Sequence, residues 1–253
     1  MAAKTTKRPS ARERLLAASD ELFYRDGVHS TGIDAVIEKA GVAKGSLYYI
    51  FGGKDELVAA YLRGRLDAWR ERVNAAQTGI DDPEEKILAV FDAIADYVAL
   101  PEFRGCPFVN AAAEAPAGEA QELAITEYRQ WVRETFLALA AQTGVADTAS
   151  LADALIVLYD GALATVDVAS TARTAAMTAK RIAKKRIDLR AIALRVLVKQ
   201  SRDMLRNNSR AEELHLIANT MIFRRWTDHL LHLRRTRRFI KIHSSCRAID
   251  VWL

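Results

Sequence analysis

Residues 31–51 read TGIDAVIEKAGVAKGSLYYIF. Ile33, Val36, Ile37 and Ala40 recur at the spacing of one face of a short helix. Gly41 then breaks the pattern, as a residue free to turn left-handed does. A second short helix is expected over Ala43–Phe51. Leu47 and Phe51 lie four apart and turn inward with Val42, which leaves Lys44, Gly45, Ser46, Tyr48 and Tyr49 outside. Two short helices on a tight glycine turn form a helix-turn-helix. The outer face suits a major groove. Lys44 neutralises a phosphate, Ser46 bonds a phosphate or base edge, and each tyrosine offers a flat ring with a hydroxyl tip. Gly45 lets the backbone come close. A second reading stays open at this point, in which Tyr48 and Tyr49 pack against neighbouring helices.

Working outward, Ser10 and Glu13 make a capping box for a helix running to about Arg25, with Leu15, Leu16, Leu22 and Phe23 inside and Gly27 as its stop. Thr31 is expected to cap the helix Gly32–Ala40. After GGKDEL, Asp55 and Glu56 suit the first turn of a fourth helix, which buries Leu57, Val58, Tyr61, Leu62, Leu66, Trp69 and Val73 and ends near Gly79. DDPEEK starts the next helix, with an Asp cap and Pro83 in the first turn; it runs to about Leu100. A break follows at PEFRGCPFVNAAAEAPAG, with a short helix inside it at about Val109–Glu114. Longer helices are expected over Glu119–Gln142, Thr148–Ala169 and onward from Ser170. The fold class is all-α, with a three-helix helix-turn-helix domain over residues 10–52.

Half of the 253 residues are apolar, enough for a substantial core. No apolar run is long enough for a membrane span. No apolar leader follows the basic first residues. Cys106 and Cys246 make no disulfide framework and no metal spacing, which fits a reducing, cytoplasmic setting. The five histidines show no ligand pattern. No nucleophile–base set and no glycine-rich phosphate loop is present, so no catalytic residue, cofactor or metal is expected. Charge is uneven: residues 188–253 hold 14 Lys/Arg against 6 Asp/Glu, although the whole chain is only +5. Basic ends around an acidic middle either place any polyanion at an end or are merely solvated.

STGIDAVIEKAGVAKGSLYYIFGGKDELVAAYL resembles the DNA-binding region of the TetR/AcrR family of bacterial transcriptional repressors. The matching features are Thr31, Ala40-Gly41-Val42, Lys44-Gly45, Leu47-Tyr48-Tyr49, Phe51, and Lys54 with the acids and Leu57 after it. FRGCPFVNAAAE and LADALIVLYDGALATV look like later segments of the same family. The resemblance implies a larger helical ligand-binding and dimerisation domain over residues 53–187. It implies DNA contacts from Thr31, Lys44, Gly45, Ser46, Tyr48, Tyr49 and Lys54. Ile50 stands where the family often has histidine, which removes one phosphate donor, and Ile37 stands where a small residue is frequent.

Function on this basis is that of a dimeric, sequence-specific repressor of double-stranded DNA, released from a near-palindromic operator by a small, mostly apolar effector. The alternative is a helical ligand- or partner-binding protein without specific DNA recognition. The dimer seam is expected on the helices Glu119–Gln142 and Thr148–Ala169, where Ala152, Ala154, Gly161, Ala162 and Ala164 allow close approach. Candidate effector contacts are Trp69, Phe91, Ile94, Phe103, Cys106, Phe108, Val109, Trp131 and Tyr159. Lys4, Lys7 and Arg8, in a flexible basic arm over residues 1–9, either reach a minor groove or have no role. Residues 188–253 read as a basic helical extension, one that either clings to phosphates or anionic surfaces or has little role.

Overall fold

In a computed structural model, residues 8–114, 118–164 and 169–207 are described. The chain divides into two compact units, residues 1–191 and 192–253. Among the described residues every regular element is helical, in line with the all-α reading. No helix there is long and apolar enough to cross a membrane, and no cluster of His, Cys, Asp or Glu is placed to hold a metal.

Helix α1 spans Ala11–Asp26. Ser10 Oγ accepts from the Glu13 N–H while the Glu13 carboxylate accepts from the Ser10 N–H, so the capping box forms as expected. Gly27 ends α1 at φ 93° and ψ 152°, a region open in practice to glycine alone. Helix α2 is Ile33–Ala40, closed by Gly41 in the left-handed conformation. Helix α3 is Lys44–Phe51. Arg14 of α1 donates to the carbonyls of Ala40 and Gly41 (3.0 and 2.7 Å), satisfying the open end of α2 and tying it to α1. Leu15, Leu22, Phe23, Val36, Leu47 and Phe51 form the small core under these three helices.

Helix α4, Lys54–Gln77, buries all seven of its expected apolar residues and continues that core into a larger one. Helices α5 (Pro83–Tyr97) and α6 (Pro107–Ala113) follow. Next come α7 (Glu119–Gln142), α8 (Thr148–Ala164) and α9, which begins at Ala169. Asp55 does more than its place in the first turn of α4 suggests. Its carboxylate accepts the N–H groups of Ala120 and Gln121 (3.0 and 3.1 Å), so it caps α7 as well. In α9, Ala172, Ala176, Ala179, Ala183 and Ile187 form the buried stripe, while Ile182 is exposed.

The helix α9 runs without a break past residue 188, as far as Asn207. Of the 192–253 unit, only this helical stretch is described. Lys4 and Lys7 of the arm, and the extension beyond Asn207, lie outside the described residues; Arg8 is exposed.

Candidate nucleic-acid interface and effector cavity

The outer face of α3 is built by its inner one. Leu47 is fully buried and Phe51 nearly so, which fixes the rotation of the helix. The opposite side then has to face solvent. Tyr49 is 91% exposed and Tyr48 46% exposed, so neither ring is enclosed by the core. Lys44 and Gly45 are exposed and Ser46 is half-buried. No side chain caps the start of α3, so its first amides remain available to an anion. Lys44 Nζ lies 2.9 Å from Asp34 Oδ1, and this bond raises the lysine's pKa. Both partners are well exposed, and such a pair contributes little, so a phosphate has only a weak rival for Lys44.

Two expected contacts sit differently. Thr31 does not cap α2, whose cap is Gly32 with no side-chain bond. Its hydroxyl instead donates to Gly27 O at 2.7 Å, and only 5% of the residue is exposed. The threonine thereby pins the turn between α1 and α2 to the end of α1. Lys54 Nζ leans back to the His29 carbonyl at 3.4 Å, and partial burial lowers its pKa. Ile50, at the position noted as a departure, is partly buried against the core.

Helices α1, α4, α5, α6, α7 and α8 border a cavity of about 210 Å³ that is partly open to solvent. Of the expected effector contacts, Trp69, Phe103, Cys106, Phe108 and Tyr159 line it. Phe91 and Ile94 are fully buried core and are not in its wall. Val109 is 54% exposed. Trp131 is only partly buried and packs under the Arg70 guanidinium. The physical reason is angular. Neighbouring helical residues point about 100° apart, so Phe108 faces in while Val109 faces out. Three residues leave about 60° of error, so Tyr128 of α7 takes the place expected of Trp131.

Tyr24, Arg65, Arg72, Tyr97, Glu102 and Tyr128 also line the wall without having been expected there, as do the apolar Ala68, Leu100, Pro107 and Leu163. The wall is therefore aromatic and partly polar rather than simply apolar. Phe108 stacks flat on Tyr128, with ring centroids 3.8 Å apart. The Arg65 guanidinium lies 4.1 Å from the Tyr24 ring centroid and bonds Asp20 Oδ2 at 3.0 Å. Burial pushes the Cys106 thiol and the Tyr97, Tyr128 and Tyr159 hydroxyls up in pKa, so all four are neutral at physiological pH.

Two contacts tie this cavity to the helix-turn-helix. Tyr24 Oη accepts the Arg104 N–H at 2.9 Å and donates to Gly105 O at 3.0 Å, joining α1 to the segment that opens α6. At the other end of α6, the Glu114 carboxylate accepts the N–H groups of Val28 and His29 in the turn between α1 and α2. Neither tyrosine nor glutamate carries a local sequence signal for these roles, since their partners lie 81 and 86 residues away.

Residues 15–61 match the family profile of bacterial regulatory proteins of the tetR family. A TetR-family transcriptional regulator from Streptomyces coelicolor, solved as a crystal structure, is 36% identical. The match covers 68% of this chain and 95% of that one, with a TM-score of 0.60. The chain belongs to the TetR family of transcriptional regulators. Among TetR-family relatives, the HTH-type transcriptional regulator LmrA of Bacillus subtilis is 29% identical over 125 residues, covering 48% of this chain and 66% of LmrA. The HTH-type transcriptional activator FasR of Mycolicibacterium smegmatis is 33% identical over 91 residues, covering 36% of this chain and 42% of FasR. The chain thus spans less than two thirds of the length of these two TetR relatives. They are regulators, not enzymes.

Proposed function

We propose that this protein is a cytoplasmic, homodimeric repressor that binds a near-palindromic DNA operator and leaves it when a small, mostly apolar molecule fills the cavity. The observation that carries this reading is the exposed face of α3, with Tyr48, Tyr49 and Lys44 standing out from a helix whose other side is locked in the core. One such helix reads few base pairs, so specificity calls for two copies about one helical turn apart, or a multiple of it.

A dimer seam is supported by the outer face of α8. Val157 is 71% exposed, and Gly161 and Ala164 continue the same face at helical spacing. Of the small residues expected in the seam, Ala152 and Ala162 are instead buried in their own subunit. The ion pairs Arg133–Asp153 and Arg129–Asp160 flank that face.

The two ties described above support a route for release of DNA. A molecule entering the cavity displaces the α6 segment that forms its wall. Tyr24 and Glu114 carry the displacement to α1 and to the turn before α2. The effector weakens DNA binding only by the difference in its own affinity for the two states.

Selection of bound fragments from genomic DNA tests the first half. A repressor of this design returns a near-palindrome whose affinity falls steeply with salt. Recovery of no common sequence would remove the operator. Activation is the second reading, favoured by the likeness to FasR, a transcriptional activator. A reporter placed behind the selected site decides the sign: expression rises on deletion of a repressor and falls on deletion of an activator.

A further inference from the structure

Hydrogen-bond bookkeeping around the cavity leaves an excess of donors. Three groups on one side are mutually satisfied: the Arg104 N–H bonds Tyr24 Oη, Tyr24 donates to Gly105 O, and the Tyr97 hydroxyl sits 3.3 Å from that of Tyr24. With both Tyr24 roles assigned, Tyr97 is the donor of that last pair. The other side forms a chain. Cys106 Sγ donates to Tyr128 Oη at 3.7 Å, and Tyr128 donates to Tyr159 Oη at 3.0 Å. The chain ends there. Among the described residues, the proton of Tyr159 meets no acceptor. The Trp69 indole N–H is, among the described residues, also buried without a partner in hydrogen-bond geometry. Both residues line the cavity. A buried donor left without a partner is costly, and a ligand that supplies an acceptor removes that cost.

The size and charge of the site narrow the ligand further. A cavity of about 150 Å³ lined by apolar side chains admits benzene. The present 210 Å³ therefore suits one aromatic ring with a short substituent. Seven aromatic side chains contribute to the wall, which favours a flat, polarisable occupant. Among the described residues, the more enclosed cation of the wall, Arg65, is already paired with Asp20. The remaining charges in the wall, Arg72 and Glu102, are both exposed and opposite in sign.

We propose that the cavity takes a neutral, single-ring aromatic molecule bearing a hydrogen-bond acceptor of the carbonyl type, which receives the Tyr159 hydroxyl proton and the Trp69 indole N–H. This rests on reading the cavity as the effector site, and it names the chemistry of that effector.

Acetophenone and ethylbenzene make the test, because they share a ring and a shape and differ in the carbonyl. Calorimetric titration of the full-length, DNA-free protein with each gives two affinities. The expected result is binding of acetophenone about tenfold tighter, as one to two net hydrogen bonds allow. Tyr159→Phe brings that ratio close to one and leaves ethylbenzene unchanged. If Tyr159→Phe fails to fold, Trp69→Phe serves, with an expected reduction of the ratio by about half or more. Equal affinities in the unaltered protein, a ratio that survives both substitutions, or binding of neither compound would overturn the assignment. A mobility shift with the selected DNA is run separately. Acetophenone that binds as expected without changing DNA affinity sinks the release mechanism and leaves the ligand class standing.

Discussion

The carboxylate of Glu114 accepts the backbone N–H of His29, across 85 residues of sequence. The same side chain accepts the Val28 N–H at 3.1 Å. It closes the far end of α6 onto the turn that enters the helix-turn-helix, the contact through which the proposed displacement of α6 would reach that turn. Replacing it with alanine frees the turn. Glu114→Ala is expected to lose about 1–3 kcal/mol of stability and to keep effector binding within about twofold. The factor by which effector weakens DNA binding, typically about 5–150-fold in coupled systems, is expected to fall toward one. Mobility shifts with and without effector measure it, and an unaltered factor would place the coupling elsewhere.

Gly27 faces that carboxylate at close range. A methyl group built there would lie 2.9 Å from Glu114 Oε1, on a backbone with φ 93°. Gly27→Ala therefore meets both backbone strain, about 1–3 kcal/mol, and a displaced Glu114. A lower melting temperature than the parent is expected, together with weakened effector response. A variant as stable as the parent would show that the turn relaxes freely.

On α3 the two faces separate cleanly. Tyr49→Ala removes a ring that touches solvent, so stability should stay within about 0.5 kcal/mol while operator affinity drops. Phe51→Ala empties a core position and should cost about 3–5 kcal/mol. Thermal melts and operator titrations on the pair check this; undiminished affinity in Tyr49→Ala would end the recognition assignment.

Lys44 is read as a phosphate contact that leaves Asp34 on binding DNA. Lys44→Ala should lower affinity on specific and random DNA alike, and should reduce the slope of log affinity against log salt by about one per contact. A loss confined to one base position would instead make Lys44 a base reader.

Cys106 tests the character of the cavity. Burial holds its pKa above that of an ordinary thiol, so the reactive thiolate is scarce until pH passes that raised value. At pH 8, iodoacetamide labelling of Cys106 in the folded protein should run at least about tenfold slower than in urea, read by peptide mapping to keep Cys246 apart. Equal rates would mean that the thiol is open and ionised.

Local periodicity carried the fold a long way because a buried stripe repeats every three or four residues whatever it packs against. The capping box at Ser10 and Glu13, the glycine stops at Gly27 and Gly41 and the inward pair Leu47 and Phe51 are all settled within one or two turns. The exposed tyrosines of α3 follow from that pair, since a helix with one face buried has the other outside. Long-range partners have no such signature. Thr31 was legible as a polar residue before a helix, yet its hydroxyl donates to Gly27 O and leaves α2 without a side-chain cap.

In the cavity, residue type was legible and direction was not. An aromatic, proline-broken region around PEFRGCPF pointed to a hollow, and five of nine expected residues do line it. Val109 and Trp131 miss through a helical rotation of about 60–100°, an error that composition cannot correct. Phe91 and Ile94 miss because a helix crossing the core buries more of itself than borders a void. What the amino-acid order determined alone was the set of helices and the face each one buries, since both arise from contacts a few residues apart. Which polar groups meet was decided only in three dimensions. Asp55 reaches α7, Tyr24 reaches Gly105 and Glu114 reaches His29, because a bond between distant residues depends on how whole helices pack.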